Sequence, residues 1–571
     1  MSNQPTQTTP GTAATDRLPS AIDDAANDYA QRLLELSPTL ATSLGVPGHE
    51  TEYDDYSPAG AEALAAAARR TLERLDGLEP ADAVDRVTVD AMRERLDLEL
   101  QIHGTGWDLA ELNNIASPAQ GIRAVFDLMP TDTVENWEHI AGRMTNLPAA
   151  IDGYIASLRE GRNRGLVAAA RQARAVIEQT TAYAADDGYF HAFAAGARAA
   201  DGELPRQLRG TLAAAARTAA EGYQALAAFL RDELLPAAPD KDAVGRERYA
   251  LMSRQFLGAA VDLEETYRWG VEELDRIIAE QESVAQQIRP GAGVEAAMAL
   301  LDADESRRLH GTEALRAWMQ ELSDAAVEAL GGTHFEIHEP MRRLECRIAP
   351  THEGGIYYTG PSEDFSRPGR MWWSVPEGED SFSTWKETTT VYHEGVPGHH
   401  LQVATAIYRR GLLNDWRRNI CWVSGHGEGW ALYAERLMDE LGFLADPGDR
   451  MGMLDAQRMR AARVVFDIGV HLELEVPARW GTGAWTPDKG YEFLRRNIAI
   501  SEGQLNFEFT RYLGWPGQAP SYKLGQRLWE QIRDELRRRE GDAFDIKAFH
   551  TTALNLGSVG LDTLRRALLG A

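Results

Sequence analysis

Residues 391–402 read VYHEGVPGHHLQ, and residues 426–440 read HGEGWALYAERLMDE. The first stretch opens as a zinc-hydrolase helix does, with His393 followed by Glu394. In such a helix a second histidine four residues on shares the face of the first, and the glutamate works on bound water. Here position 397 is proline, and the next histidines are His399 and His400. An α-helix turns about 100° and rises about 1.5 Å per residue, so His399 would lie on a different face from His393. His400 would share the face but stand about 10 Å along the axis, whereas a Zn–N bond is only about 2.0–2.1 Å. A straight helix therefore makes no single-metal site. Pro397 forbids a straight helix, because it removes a hydrogen bond and clashes with the carbonyl four residues back, that of His393. A bulge in Gly395-Val396-Pro397-Gly398 brings His399 beside His393. This predicts His393 and His399 as ligands, with His400 in a supporting or substrate-facing role.

A third ligand is expected from a following helix. Glu428 lies 29 residues beyond His399, and Glu435 is seven further, two helical turns on the same side. One can ligate while the other orients a ligand. His426 is a weaker candidate. The expected cofactor is Zn2+, held by His393, His399 and Glu428. Glu394 is then the general base for the activated water and the acid toward the leaving amine. Arg463, Asp467 and His471 are spaced by four in RAARVVFDIGVHLE and share one helix stripe. Tyr512, Tyr522 and Lys523 surround the Pro-Gly turn of RYLGWPGQAPSYKLG. Tyr512, Tyr522 or His471 is expected to stabilise a tetrahedral oxyanion, and Lys523 to hold a carboxylate terminus. The bland alternatives are a buried polar network for the first group and surface side chains for the second.

With HEGVPGHHLQ followed by EGWALYAE, the chain resembles the bacterial family known as domain of unknown function 885. Members of that family are similar to gluzincin metallopeptidases, including the thimet-oligopeptidase and Taq-type carboxypeptidase groups. Those groups carry His-Glu-x-Gly-His followed by Ala-Leu. Gly398-His399-His400-Leu401 aligns with the Gly-His-Ala-Leu after two extra residues, which favours His399 over His400 as ligand. SPTLATSLGVPGHETEYDDYSP, YYTGPSEDFSRPGRMWW and RYLGWPGQAPSYKLG are also similar to family landmarks, so the resemblance covers most of the chain. It implies an elongated, mainly α fold with a deep cleft and a zinc-peptidase-like site.

The elements that must position these residues are mostly helical. Segments 133–160, 164–186, 205–237 and 246–287 are rich in Ala, Leu, Glu and Arg, residues of high helix propensity. Near 333 the texture changes. THFEIHEPMRRLECRIAP and GGIYYTGPSEDFSRPGRMWWSV predict a small antiparallel sheet beside the metal-site helix, whose edge can hold an extended substrate backbone. Residues 1–17 are polar and read as a disordered tail. Residues 18–571 read as one helical catalytic domain, divisible into an N-terminal lobe (18–330) and a metal-site lobe (331–571).

The chain has 571 residues, 44% of them hydrophobic, and a formal net charge of −28. That charge disfavours nucleic acid and anionic membrane as partners. There is no apolar run of the roughly 20 residues that a membrane span needs. Two cysteines and a polar N-terminus lead to an expected cytoplasmic protein. The function expected is zinc-dependent hydrolysis of a peptide or peptide-like small substrate. A lyase or tailoring enzyme on the same scaffold, or a non-catalytic metal-stabilised binding protein, stays open at this level. So does the oligomeric state.

Overall fold

Helix starts are encoded as caps. Ser20, Thr133 and Ser501 each accept the backbone N–H three residues on, while Asp23, Asn136 and Gln504 reach back to the cap N–H. The computed structural model describes residues 17–349 and 355–570. The expected tail lies outside the described residues except for Arg17, which is not part of a tail. Its guanidinium is gripped by the carboxylates of Asp23, Asp82 and Asp85.

The fold is mainly α, as expected. Helices Ala21–Leu36, Pro58–Asp76 and Ala83–Thr105 pack on one another. Their apolar faces join the main core through Ile22, Ala68 and Leu96. The chain then leaves that core. Helices Pro118–Leu128, Val134–Asn163, Ala170–Ala184 and Arg206–Phe229 bury a second core around Phe126, Ile151, Tyr223 and Leu226. With Leu263–Ile288 the chain returns to the main core and packs along Pro447–His471. Apolar packing therefore does not divide at position 330, since the main core draws on residues from both expected lobes.

Among the described residues, five short strands lie between the helical parts. β1 (Arg308–His310) pairs antiparallel with β5 (Ser381–Ser383). β2 (Leu344–Ile348), β3 (Ile356–Thr359) and β4 (Gly369–Trp373) form a second sheet with β4 in the middle. β3 and β4 pair antiparallel, but β2 runs parallel to β4, with Cys346 opposite Met371. The sheet is thus mixed rather than wholly antiparallel. This register puts Leu344, Cys346, Met371 and Trp373 on one buried face against Val391. Val391 precedes His393 by two residues, so the sheet braces the helix that carries it.

Helices Ser424–Glu440 and Ser521–Glu540 cross in backbone contact. A Cβ on Gly429 would stand 2.4 Å from the Gly525 carbonyl carbon, and one on Gly525 would stand 2.1 Å from the Gly425 oxygen. Only glycine fits there. The crossing brings Glu428 and Tyr522 toward one place.

Candidate metal centre

The helix Thr384–Glu394 stops at Glu394, and the next, His399–Tyr408, begins at His399. The break demanded by Pro397 is therefore present, and the Val396–Pro397 peptide is cis. Gly395 N–H still donates to Val391 O at 2.9 Å, Gly398 N–H turns back to Tyr392 O at 3.1 Å, and His400 N–H to Gly395 O at 3.2 Å. The link is so tight that a Cβ on Gly398 would stand 1.9 Å from His393 O. It sets the His393 and His399 rings at 4.9 Å between centroids, nearly perpendicular.

His393, His399 and Glu428 each offer a donor atom within 4.8 Å of the other two. His393 Nε2 lies 3.3 Å and His399 Nε2 3.6 Å from Glu428 Oε2. Two ligands on a tetrahedral ion with bonds of about 2.1 Å stand about 3.4 Å apart. The donor set therefore fits zinc in both chemistry and spacing. The other nitrogen of His393 is committed, since Nδ1 sits 2.8 Å from Glu435 Oε1. Glu435 is fully buried and also accepts from Thr389 Oγ1 at 3.0 Å and Gln457 Nε2 at 3.4 Å. It fixes the tautomer that leaves Nε2 free toward Glu428.

The electrostatics favour a cation. Burial pulls the His393 imidazole down, but Glu428, Glu435 and Glu394 outweigh it and lift it to about 10. Burial pushes the Glu428 carboxyl up, but hydrogen bonds from His393 and His399 hold it far below the usual carboxylate range. Without metal the cluster holds a proton, which a divalent ion displaces on binding. Glu394, at the last residue of its helix, is buried and raised above the usual range by that burial, offset in part by His399 and His393.

His400 does not join the cluster. Its Nδ1 meets Tyr358 Oη at 2.9 Å and its Nε2 meets Met341 O at 2.7 Å, so both nitrogens are occupied. His426 is buried, with its ring against Trp529. The candidates for oxyanion stabilisation separate. Tyr512 is fully buried, with its hydroxyl between Glu508 and Arg463. His471 is likewise buried, with Nε2 at 3.0 Å from Tyr512 O. Asp467 accepts from Tyr249 Oη at 2.6 Å and Gly517 N at 2.9 Å, and its other oxygen stands 3.9 Å from His471 Nε2. Tyr522 differs. Burial and the charge of Glu428 push its hydroxyl up to about 12, so it lies within electrostatic reach of that carboxylate. The Arg463 guanidinium lies over its ring at 5.5 Å. Lys523 is buried, with its ammonium held by Glu273, Gln457 and Gln526.

A cavity of about 710 Å³ reaches Glu428. Trp422, Ser424, Trp515 and Gln518 line it on the donor side, and Tyr56, Glu99, Glu111 and Tyr154 come from N-terminal helices and the loops between them. Sequence reasoning missed these wall residues. Trp515 and Gln518 sit inside the RYLGWPGQAPSYKLG stretch, where an aromatic beside a Pro-Gly turn was the available signal. No strand residue among those described lines the cavity. The sheet edge expected to hold substrate braces the ligand helices instead, through Tyr358 and His400.

The fold and the site define a helical protein with a buried donor cluster of two histidines and one carboxylate at the end of a cleft. The chain belongs to the family described as "Bacterial protein of unknown function (DUF885)", which matches residues 38–568. A structure from Colwellia psychrerythraea, described as a "putative lipoprotein", is similar along 96% of this chain and 98% of its own, with TM-score 0.81 and 21% identity. A second, from Shewanella oneidensis and described as a "putative lipoprotein of unknown function", is similar over 96% and 100%, with TM-score 0.72 and 16% identity. A carboxypeptidase from Pyrococcus furiosus matches with TM-score 0.37 and 12% identity, too low for any argument. No curated protein matches the sequence at a significant level.

These descriptions correct one expectation. The Colwellia and Shewanella neighbours are both described as lipoproteins, which goes with a membrane-anchored or secreted protein and overturns the cytoplasmic assignment. The physical reason is plain. A chain of this size buries enough core to fold without disulfides in either compartment, so a low cysteine count does not report location. No helix among the described residues is long and apolar enough to cross a membrane.

Proposed function

We propose that this protein is a zinc-dependent hydrolase of peptide or peptide-like amide bonds. The observation that carries the reading is the donor triad, with Nε2–Oε2 spacings of 3.3 and 3.6 Å at the wall of a cavity. His393, His399 and Glu428 would hold the ion, and Glu435 would orient His393. Zinc in that position supplies a Lewis acid that polarises a carbonyl and acidifies water. Glu394 takes a proton from the water as its oxygen bonds to the carbonyl carbon. It passes that proton to the nitrogen as the C–N bond breaks, leaving a carboxylic acid and an amine. Its raised pKa suits a group that must both accept and return a proton. Tyr522 donates its hydroxyl proton in a hydrogen bond to the oxygen that gains charge, and its elevated pKa keeps it protonated for that task. Arg463, stacked on Tyr522, holds the ring in place.

The test combines metal and turnover. Purified protein is expected to bind about one zinc per chain, and replacing His393, His399 or Glu428 with Ala should abolish binding. A short-peptide library should be cleaved by the zinc-loaded protein, spared after chelation, and cleaved again when zinc is restored. A zinc-loaded protein that cleaves no member of the library would reject amide hydrolysis and favour a binding role.

A further inference from the structure

Trp422 has no structural reason to be where it is. It follows Cys421 and precedes the helix Ser424–Glu440, and it is 54% exposed, while every other tryptophan is buried or half-buried. Leaving so large an apolar surface in water forfeits the stabilisation that burying an aromatic side chain brings. The exposed face lines the cavity. The indole also lies against Gly427, where a Cβ would stand 2.4 Å from Trp422 Cη2. Its ring centroid is 6.4 Å from that of His399. Trp422 therefore stands beside two of the three donor residues, His399 and Glu428. Two more aromatic rings line the same cavity. Phe256 and Trp515 form an edge-to-face pair with centroids 5.4 Å apart, both half-buried. The lining residues nearest to them in sequence, Gln255 and Gln518, are uncharged.

We propose that Trp422, with Phe256 and Trp515, forms a specificity subsite that takes an aromatic or large aliphatic side chain of the substrate. The inference rests on the hydrolase reading and names the substrate class. An extended peptide advances about 3.3–3.6 Å per residue. A ring 6.4 Å from His399 is therefore reached by a residue flanking the bond that breaks, not by a remote one. Stacked or edge-to-face aromatic pairs settle at centroid separations of about 4.5–7 Å, and Trp422, Phe256 and Trp515 offer such faces to one cavity. A cavity of about 710 Å³ is of the size that encloses a small molecule or a short peptide. The substrate class is thus a short peptide or amino-acid amide with an aromatic or large aliphatic residue next to the scissile bond.

Two small metal-chelating probes test this apart from catalysis. Phenylalanine hydroxamate and glycine hydroxamate share the chelating group and differ only in the side chain. Calorimetric titration of the zinc-loaded protein should show phenylalanine hydroxamate binding about tenfold tighter or more, the scale set by burying an aromatic side chain. Trp422→Ala should bring the two within about twofold of each other, and Trp422→Phe should keep most of the preference. Trp422→Leu serves as a second variant should Trp422→Ala fail to fold, and it should keep less of the preference for phenylalanine hydroxamate over glycine hydroxamate than Trp422→Phe does. Equal affinity for the two hydroxamates in the wild type would overturn the subsite and leave the metal reading standing. No binding of either to zinc-loaded protein would remove the metal reading, and the subsite with it. A full preference retained in a folded Trp422→Ala would overturn the role of Trp422.

Discussion

Glu435 touches no substrate in the proposed reaction, yet its removal should weaken the metal site. Its Oε1 accepts the His393 Nδ1 proton at 2.8 Å, and its Oε2 accepts from Thr389 and Gln457. Glu435→Gln keeps the shape and an oxygen for His393 but removes the charge. A hydrogen bond to a charged group is worth about 1.5–3 kcal/mol, and a neutral one about 1 kcal/mol. The difference, about 1–2 kcal/mol, predicts zinc binding weaker by about 5- to 30-fold. Glu435→Ala goes further, because the His393 N–H, the Thr389 hydroxyl and the Gln457 amide are left buried without this acceptor. Loss of such an orienting partner weakens metal affinity by about 10- to 100-fold. The three orphaned donors should also destabilise the metal-free protein by about 3–9 kcal/mol. Zinc affinity is read by competition with a chromophoric chelator on stripped protein, and stability by chemical denaturation in chelator. An alanine variant that binds zinc as the wild type does would refute the orienting role, whatever its stability.

Glu394→Gln should keep the fold and about one zinc while losing at least about 10²-fold in turnover; undiminished turnover in a zinc-loaded variant would rule out the proposed base. His400→Ala should retain zinc but lose about 2–5 kcal/mol of stability, since it orphans the Tyr358 hydroxyl and the Met341 carbonyl; metal lost there and kept in His399→Ala would invert the ligand assignment. Burial raises Asp467 to about 7 despite bonds from Tyr249 and Gly517, above its unfolded value of about 3.9. Its protonation therefore favours the folded state, fully below pH of about 4 and progressively less up to pH of about 7. Asp467→Asn should thus gain stability relative to wild type as pH rises from 5 to 8, and melting curves showing a constant gap would refute this.

The candidate donor cluster was legible because its grammar is local. His393-Glu394, a proline that forbids a straight helix, and a following helix with Glu428 and Glu435 are all readable from spacing. The two glycines that tighten the break, Gly395 and Gly398, flank the Val396-Pro397 pair in the sequence itself. The cleft was not legible in the same way. Its walls unite Tyr56, Glu111 and Tyr154 with Trp422 and Trp515, residues separated by hundreds of positions and joined only by tertiary packing. Periodicity also could not tell Tyr512 from Tyr522. They lie either side of one turn, yet the first is sealed between Glu508 and Arg463 and the second feels the charge of Glu428. The stripe of Arg463, Asp467 and His471 was real as a helix face. Its partners come from other elements, Tyr249 and Gly517 for Asp467 and the Tyr512 carbonyl for His471, and no spacing rule names them. The parallel pairing of β2 with β4 escaped for the same reason, since strand texture fixes which faces are apolar but not which neighbour is chosen.

The second apolar core has an evolutionary corollary. Pro118, Tyr154 and Ser157 reach the cavity from a layer of helices that packs around its own centre, whereas His393, His399 and Glu428 ride on helices of the main core. Side-chain changes in that layer are absorbed within it and reshape one wall of the cleft without moving a donor atom. Selection can therefore alter what enters the cleft while the chemistry is inherited intact, and two descendants that share every residue of the HEGVPGHH stretch need not share a substrate.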